Sequence, residues 1–276
     1  MNWSKAKTVM IVTFAILNMI LYLTIVKMNK LQFHVLTPMD ISSLERVLSE
    51  NNIVLNTSIP TKSEFLPLIR VEREVFNKGF VLDNFIKGQQ YQEYKEGKYS
   101  VFNFGDKTIK IDEFSLYYFE KSDKFKNLSS SQKEEYIKNF IRDYNLEEKN
   151  AYLEKSVRDK EVKMTYYQTY RGYFIDDGCM EGKMTDESFV FSKRWFNFVT
   201  AEKGKKEIID VTYALLKLVE IKTNSQPMVI KEINLGYYFN WANARKGEAV
   251  PVWRVVTEEG TKYYINAYTG NVEEGK

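Results

Sequence analysis

The segment 131–170, SQKEEYIKNFIRDYNLEEKNAYLEKSVRDKEVKMTYYQTY, decides the fold class because it places a helix directly before strands. Ser131 and Glu134 have the spacing of a capping box, which predicts a helix start, and the helix is expected to end near Asn145. Its apolar stripe consists of Ile137, Phe140 and Ile141. Residues 162–170 alternate apolar and polar side chains, which is typical of a strand. The strands predicted here are 151–157, 162–170 and 189–199.

The same order of helix and strands recurs towards the C-terminus. Asp210 can cap a helix whose apolar stripe consists of Ala214, Leu215, Leu218 and Val219. The strands predicted after it are 228–239, 251–257 and 262–268. Helices that cover one face of an antiparallel sheet make an α+β fold. We therefore predict an α+β fold with two tandem helix-plus-antiparallel-sheet units, residues 129–205 and residues 206–276.

Residues 28–128 are predicted to form a stalk and the first strands. Residues 40–51 have the pattern of a short amphipathic helix, which Ser42 or Ser43 could cap. Its apolar face consists of Leu44, Val47 and Leu48. Strands are predicted at 99–104 and 109–119. This segment would connect the N-terminal residues with the first unit.

Composition favours a globular protein with much β structure. Aromatic residues make up 15% of the chain and charged residues 28%. The net charge of +3 is concentrated in residues 1–30, which contain four lysines and no acidic residue. The remainder is close to neutral, so the sequence has no basic region typical of a nucleic-acid-binding protein.

Residues 8–27 are predicted to be a transmembrane signal anchor. The run Thr8–Val26, TVMIVTFAILNMILYLTIV, contains no charged residue and is long enough to cross a bilayer as a helix. Lysines flank it on both sides, and Lys27-Met-Asn-Lys30 lacks the small residues of a signal-peptide cleavage site. We expect residues 1–7 to be a cytoplasmic tail and the domain after the anchor to be extracytoplasmic.

One face of this helix is a candidate contact with a partner helix in the membrane. The face consists of Ile11, Ala15, Asn18, Tyr22 and Ile25, which follow a spacing of four and three residues. A carboxamide in lipid favours a hydrogen-bonding partner, so Asn18 is the central residue of the prediction. The alternative is that Asn18 bonds its own helix or a stray water molecule.

The sequence offers little catalytic chemistry, and no nucleotide, zinc-protease or serine-hydrolase motif is present. One histidine and one cysteine, Cys179, do not make a metal or nucleophile constellation, and Cys179 is expected to be a small, partly buried side chain. Three pairs of acidic residues are interpreted as solvated turns: Asp176-Asp177, Asp186-Glu187 and Glu258-Glu259. We therefore predict no enzymatic activity, no cofactor and no bound metal.

Both ends of the chain resemble the YycI family, also called WalI. The residues concerned are Met1–Thr8, MNWSKAKT, then Pro251–Val256, PVWRVV, and Tyr263–Val272, YYINAYTGNV. The ending is also similar to the PepSY-like hairpin of bacterial exported domains, and Trp253 and Val255 are expected on its core face. The resemblance implies a YycI/YycH-like fold and no catalytic residues.

The resemblance also implies a place and partners. It implies a protein on the outer face of the cytoplasmic membrane of a low-GC Gram-positive bacterium, acting by protein–protein interaction with a YycH-like anchored protein. Together they would modulate the WalK (YycG) sensor histidine kinase of the WalK–WalR (YycG–YycF) two-component system, which governs cell-wall metabolism. Two alternatives stay open: a cell-wall hydrolase that uses the acid pairs, and a sensor that binds a wall fragment or peptide.

Overall fold

The computed structural model of the protein describes residues 3–31, 36–61, 64–223, 226–239 and 244–273. The fold is α+β, with a long apolar N-terminal helix and one large sheet, which confirms the predicted class. The α-helices in these ranges are α1 Trp3–Leu31, α2 Pro38–Glu50, α3 Lys78–Val81, α4 Ser130–Asp143 and α5 Val211–Ile221. A π-helical turn, Leu82–Ile86, follows α3, and a 3-10 turn, Asp123–Asn127, precedes α4.

The remaining regular structure is β-strand. The strands are β1 Ile53–Leu55, β2 Phe65–Leu66, β3 Ile69–Arg73, β4 Gln92–Glu96, β5 Tyr99–Phe104, β6 Lys107–Ile111, β7 Leu116–Lys121, β8 Ala151–Arg158, β9 Glu161–Tyr170, β10 Tyr173–Met184, β11 Ser188–Arg194, β12 Phe196–Ala201, β13 Lys206–Glu207, β14 Met228–Tyr238, β15 Lys246–Thr257, β16 Lys262–Asn266 and β17 Val272–Glu273. Their order in the large sheet is β12-β3-β15-β14-β10-β11-β7-β6-β5-β4. The β8–β9 hairpin adds to β10, β1 adds to β14, and β16 with β17 adds to β15, whereas β2 and β13 form a separate pair. The pairings β1–β14 and β10–β14 are parallel and the others antiparallel.

The first core lies between α4 and the middle of the sheet. Ile137, Phe140 and Ile141 of α4 pack against buried side chains of the neighbouring strands, including Phe189. Gly182 of β10 makes this close packing possible, because a Cβ atom there would lie 2.6 Å from a methyl group of Ile137. The predicted apolar stripe of this helix therefore faces the core.

The second core is built around α5 and the C-terminal strands. Trp253 of β15 is 2% exposed, and its indole Nε1 donates a hydrogen bond to the Ile209 carbonyl oxygen at 2.9 Å, so the expected core position of Trp253 is confirmed. Leu44 and Leu48 of α2 are buried in the same core. Residues from the predicted stalk segment thus help to form this core. The unit boundaries at residues 128 and 205 remain predictions.

Two predicted helix caps were wrong, and the third is confirmed. Helix α2 begins after Thr37, which forms a capping box with Asp40; neither predicted serine caps it. Thr37 precedes Pro38, which holds it in an extended conformation and suits the first helical position. Helix α4 is capped by Ser129, two residues before the predicted cap, whereas Asp210 caps α5 as predicted.

The strand predictions were too coarse in two places. The predicted strand 109–119 is in fact β6 and β7, which are joined by a turn at Asp112–Ser115. The predicted strand 189–199 is β11 and β12, which pair with different partners.

Strand β10 was missed, and its Asp176-Asp177-Gly178 was wrongly interpreted as a turn. The pairing of β9 with β10 shifts register between Phe174 and Cys179, so this segment is a β-bulge. Asp177 has a φ of 71°, a left-handed conformation that Asp adopts more readily than most residues. The turn-like composition therefore marks an irregular strand.

Candidate functional site

Helix α1 carries the predicted membrane contact. Its segment Lys7–Thr24 is long and apolar enough to cross a membrane by length and composition, and its side chains are exposed throughout. Within the described part of the chain, no other helix meets that description. An apolar helix that no part of the fold covers is what a membrane anchor requires.

The predicted contact face lies along this exposed helix. The side chains of Ile11, Ala15, Asn18 and Tyr22 are exposed, and the side chain of Ile25 lies outside the described residues. Thr13 and Thr24 (the polar neighbours of this face) donate their hydroxyls to carbonyl oxygens one turn earlier, at 2.9 and 2.8 Å. No such bond involves the Asn18 carboxamide among the described residues, so its polar atoms are available to another helix. Contact with a partner remains a prediction.

The first acid pair, Asp176-Asp177, is engaged in structural contacts. Asp177 is 9% exposed and accepts ion pairs from Arg73 and Arg194, with 2.7 Å between nitrogen and oxygen in each case. Its neighbour Asp176 accepts a hydrogen bond from the Tyr264 hydroxyl at 2.7 Å. The two adjacent carboxylates thus hold different parts of the structure together.

The Arg73 side chain is buried like that of its partner Asp177. It is 3% exposed, and its guanidinium lies 5.1 Å from the ring centre of Phe196 and 5.2 Å from that of Phe239. Cation–π contact with two rings compensates part of the cost of burying the charge. This buried cluster lies where β3, β10 and β12 meet, and only long-range pairing could have predicted it.

The other acid pairs are also engaged in structural contacts. Asp186 pairs with Lys133 at 2.6 Å and with Lys160 at 3.0 Å, and hydrogen bonds from these lysines hold its pKa below the usual value. Glu258 accepts a hydrogen bond from Asn56 at 3.1 Å. A carboxylate with a lowered pKa is a poor general acid. Among the described residues, no cluster of histidine, cysteine and acidic side chains could hold a metal ion.

Cys179 has the predicted environment of a small packing residue. Its side chain is partly buried, and burial raises the pKa of its thiol. A raised pKa keeps the thiol protonated, and the thiolate is the reactive form. The structure therefore gives Cys179 no sign of a nucleophile.

One aromatic surface was not located from sequence. It is an open groove of about 700 Å³ on the sheet face opposite the first core, and we call it the aromatic face. Phe119 and Tyr94 are 42% and 47% exposed, and the rings of Tyr99 and Tyr117 meet edge to face at 5.9 Å. Alternation along β5 and β7 was the available signal, but periodicity alone cannot tell which face a helix covers.

Comparison with known proteins shows what the chain is similar to. The family model for the YycI protein matches residues 34–268. An uncharacterized protein from Eubacterium rectale ATCC 33656 is similar in structure, with a TM-score of 0.51, 14% identity, and coverage of 80% of this chain and 89% of that one. The Bacillus megaterium YpeB C-terminal domain aligns with a TM-score of 0.38, 18% identity, and coverage of 73% and 97%. The first likeness concerns the fold alone. No curated protein matches the chain.

Proposed function

Because the chain belongs to the YycI family, we propose that it is a membrane-anchored accessory protein that modulates the WalK (YycG) sensor histidine kinase. The family is regulatory and is involved with the WalK system. The match over residues 34–268 is the observation that carries the proposal, since it covers nearly all of the domain that follows α1. A YycH-like anchored protein would act with it in the control of cell-wall metabolism.

The proposed arrangement puts residues 1–7 in the cytoplasm and the domain outside the cell. Helix α1 has 29 residues, so at about 1.5 Å per residue it exceeds a hydrocarbon core of about 30 Å. The exposed side chains of Lys7–Thr24 would then face lipid or other transmembrane helices. A regulator in this position reaches a kinase through its outer domain or through the membrane.

Helix pairing in the membrane is the route that the anchor supports. Ala15 allows another helix to approach closely, and the exposed Asn18 carboxamide can form a hydrogen bond with it. Such a bond stabilises a helix pair by about 0.6–2 kcal/mol, so it would fix the register of the pair more than its affinity.

The test replaces Asn18 and then moves its carboxamide. Asn18→Leu should leave the protein inserted and folded, yet weaken crosslinking between partner helices and change kinase output. The matched control is the double variant Asn18→Leu with Ile20→Asn, which keeps one carboxamide in the span but turns it by about 200° to the other face. It should behave like Asn18→Leu.

Single cysteines placed along α1 in a Cys179→Ser background would report the contact. We expect strong crosslinking at Ala15 and Tyr22 and weak crosslinking at Ile20. Uniform crosslinking around the helix, or normal signalling by Asn18→Leu, would exclude α1 from the mechanism.

In this fold, acidic residues on which the hydrolase alternative depends are engaged in other contacts. It required two carboxylates that face each other across a cleft. Asp176 and Asp177 hold different partners, and Asp186 is held by two lysines. The regulatory proposal therefore continues to rest on the family match over residues 34–268.

A further inference from the structure

A groove with converging charged groups lies on the sheet face opposite the second core. Its volume is about 670 Å³, within the range of about 300–1,000 Å³ typical of ligand sites. The β8–β9 hairpin forms one wall with Tyr152, Glu154 and Tyr167. Strands β14 and β15 form the other wall with Glu232 and Arg254. In contrast to the aromatic face, this groove is lined by both acidic and basic side chains.

The floor of the groove is rigid. The ring of Phe174 lies directly on the backbone of Gly236, where a Cβ atom would be 2.3 Å from the ring. The guanidinium of Arg254 lies over the same ring, 4.0 Å from its centre. The ring is thus held between the β14 backbone and a cation, and this contact fixes the guanidinium before any ligand arrives.

Arg254 differs from the enclosed cations elsewhere in the domain. Arg73, Lys133 and Lys193 each have a carboxylate partner within 3.0 Å. Among the described residues, Arg254 forms no salt bridge; its Nε is buried without a hydrogen-bond partner, as is the Nε of Arg73. What sets Arg254 apart is therefore the lack of a carboxylate partner, and such a partly buried guanidinium is a favourable position for a ligand carboxylate.

Two acidic side chains of the same groove, Glu154 and Glu232, would repel a ligand that carries only negative charge. Burial, together with the nearby Glu154 carboxylate, raises the pKa of Tyr167 to about 12. Tyr167 therefore stays protonated at neutral pH. Glu232 adds a second, partly exposed carboxylate, which lies 3.6 Å from the Lys231 ammonium group and beside the amide of Asn234. The groove combines one unpaired cation with two acids, an arrangement that complements a ligand carrying both charges.

We propose that this groove binds a short zwitterionic peptide, with the peptide carboxylate on Arg254 and the peptide ammonium group near Glu154 and Glu232. The peptide backbone would lie along the Phe174 floor. The domain would then bind a small ligand directly. This binding does not depend on the proposed control of a kinase.

Calorimetric titration of the full-length chain in a maltoside detergent tests the proposal. The probe is trialanine in a buffer without carboxylates, compared with trialanine amide and N-acetyltrialanine. Trialanine should bind with a saturable 1:1 isotherm. Each capped peptide should bind about tenfold more weakly, because each lacks one charge-assisted contact. No saturable binding up to roughly 10 mM trialanine, or equal affinity for trialanine and its amide, would overturn the proposal.

Variants of the groove then assign the contact. Arg254→Gln should weaken trialanine binding about tenfold and abolish the difference between the free acid and the amide. Arg70→Gln removes an exposed cation from another surface and serves as the matched control, with binding unchanged. If Arg254→Gln unfolds, the comparison of trialanine with its amide on the unaltered chain still decides. An Arg254→Gln protein that folds and still prefers the free acid would refute the assignment.

Discussion

Asp177 joins three strands through its two ion pairs. Arg73 of β3 and Arg194 at the end of β11 both donate to it, and Arg73 is almost completely enclosed. A buried ion pair contributes little net stability, but removal of one partner leaves an uncompensated charge in the interior. The Asp177 carboxylate therefore matters mainly because it compensates the buried charge of Arg73, and the ion pair itself adds little net stability.

Neutralisation of Asp177 would leave Arg73 as an uncompensated charge in the interior. Asp177→Asn should lower the free energy of unfolding by about 3–5 kcal/mol, measured by urea denaturation. Asp176→Asn is the neighbouring control and should cost about 1 kcal/mol or less, because an amide oxygen still accepts the Tyr264 hydrogen bond. Equal losses for the two variants would show that the cluster has no special role.

Sequence alone could not have located this cluster. Arg73 and Asp177 lie 104 residues apart, and no local periodicity reports such a contact. The Asp-Asp-Gly composition did signal an irregular backbone, since Asp177 adopts a positive φ at a bulge. The signal was interpreted as a turn because turns and bulges favour the same residues.

The start of α4 could be predicted from local sequence patterns to within two residues. Ser129 has an extended conformation, and its hydroxyl oxygen accepts a hydrogen bond from the Gln132 backbone N–H. Its own backbone N–H donates a hydrogen bond to the side-chain oxygen of Gln132. Ser131 and Glu134 offer the same spacing two residues later. Two overlapping capping boxes make the existence of the helix predictable and leave its first residue undetermined.

Substitution of the two serines distinguishes these caps. Ser129→Ala should destabilise the protein by about 1 kcal/mol because a helix N–H loses its acceptor. Ser131→Ala should change the unfolding free energy by less than about 0.5 kcal/mol, since alanine suits a helix interior. Urea denaturation of both variants provides the comparison, and the opposite ranking would place the cap at Ser131.

Strands were predictable where their side chains alternate and not where their partners lie far away. The predicted strand 99–104 matches β5 exactly in extent, and 162–170 matches β9 to within one residue. The order of strands in the sheet, and the parallel pairing of β1 with β14, depend on contacts between distant segments. Alternation carries no information on those contacts.

The second core contains residues from both ends of the domain. Leu44, Leu48 and Ile53 pack with buried side chains of α5 and β15. Helix α2 is therefore an integral part of the domain.

Truncation tests this closure. A fragment of residues 36–276 should be soluble and unfold in one cooperative transition, because both cores are complete without α1. A fragment of residues 64–276 lacks three buried side chains of the second core and should be aggregated or molten. Circular dichroism during urea denaturation distinguishes the two outcomes. Equal stability of the fragments would show that α2 and β1 are dispensable.

If this YycI-family chain acts through contacts with a sensor kinase and a second anchored protein, both proteins should stay bound to it in mild detergent. The measurement is co-purification of the full-length chain from native membranes. We expect a WalK-type histidine kinase and a YycH-like single-span protein to be recovered with it. Recovery of the folded chain with neither protein, under conditions in which the kinase itself stays soluble and intact, would refute the proposed partnership.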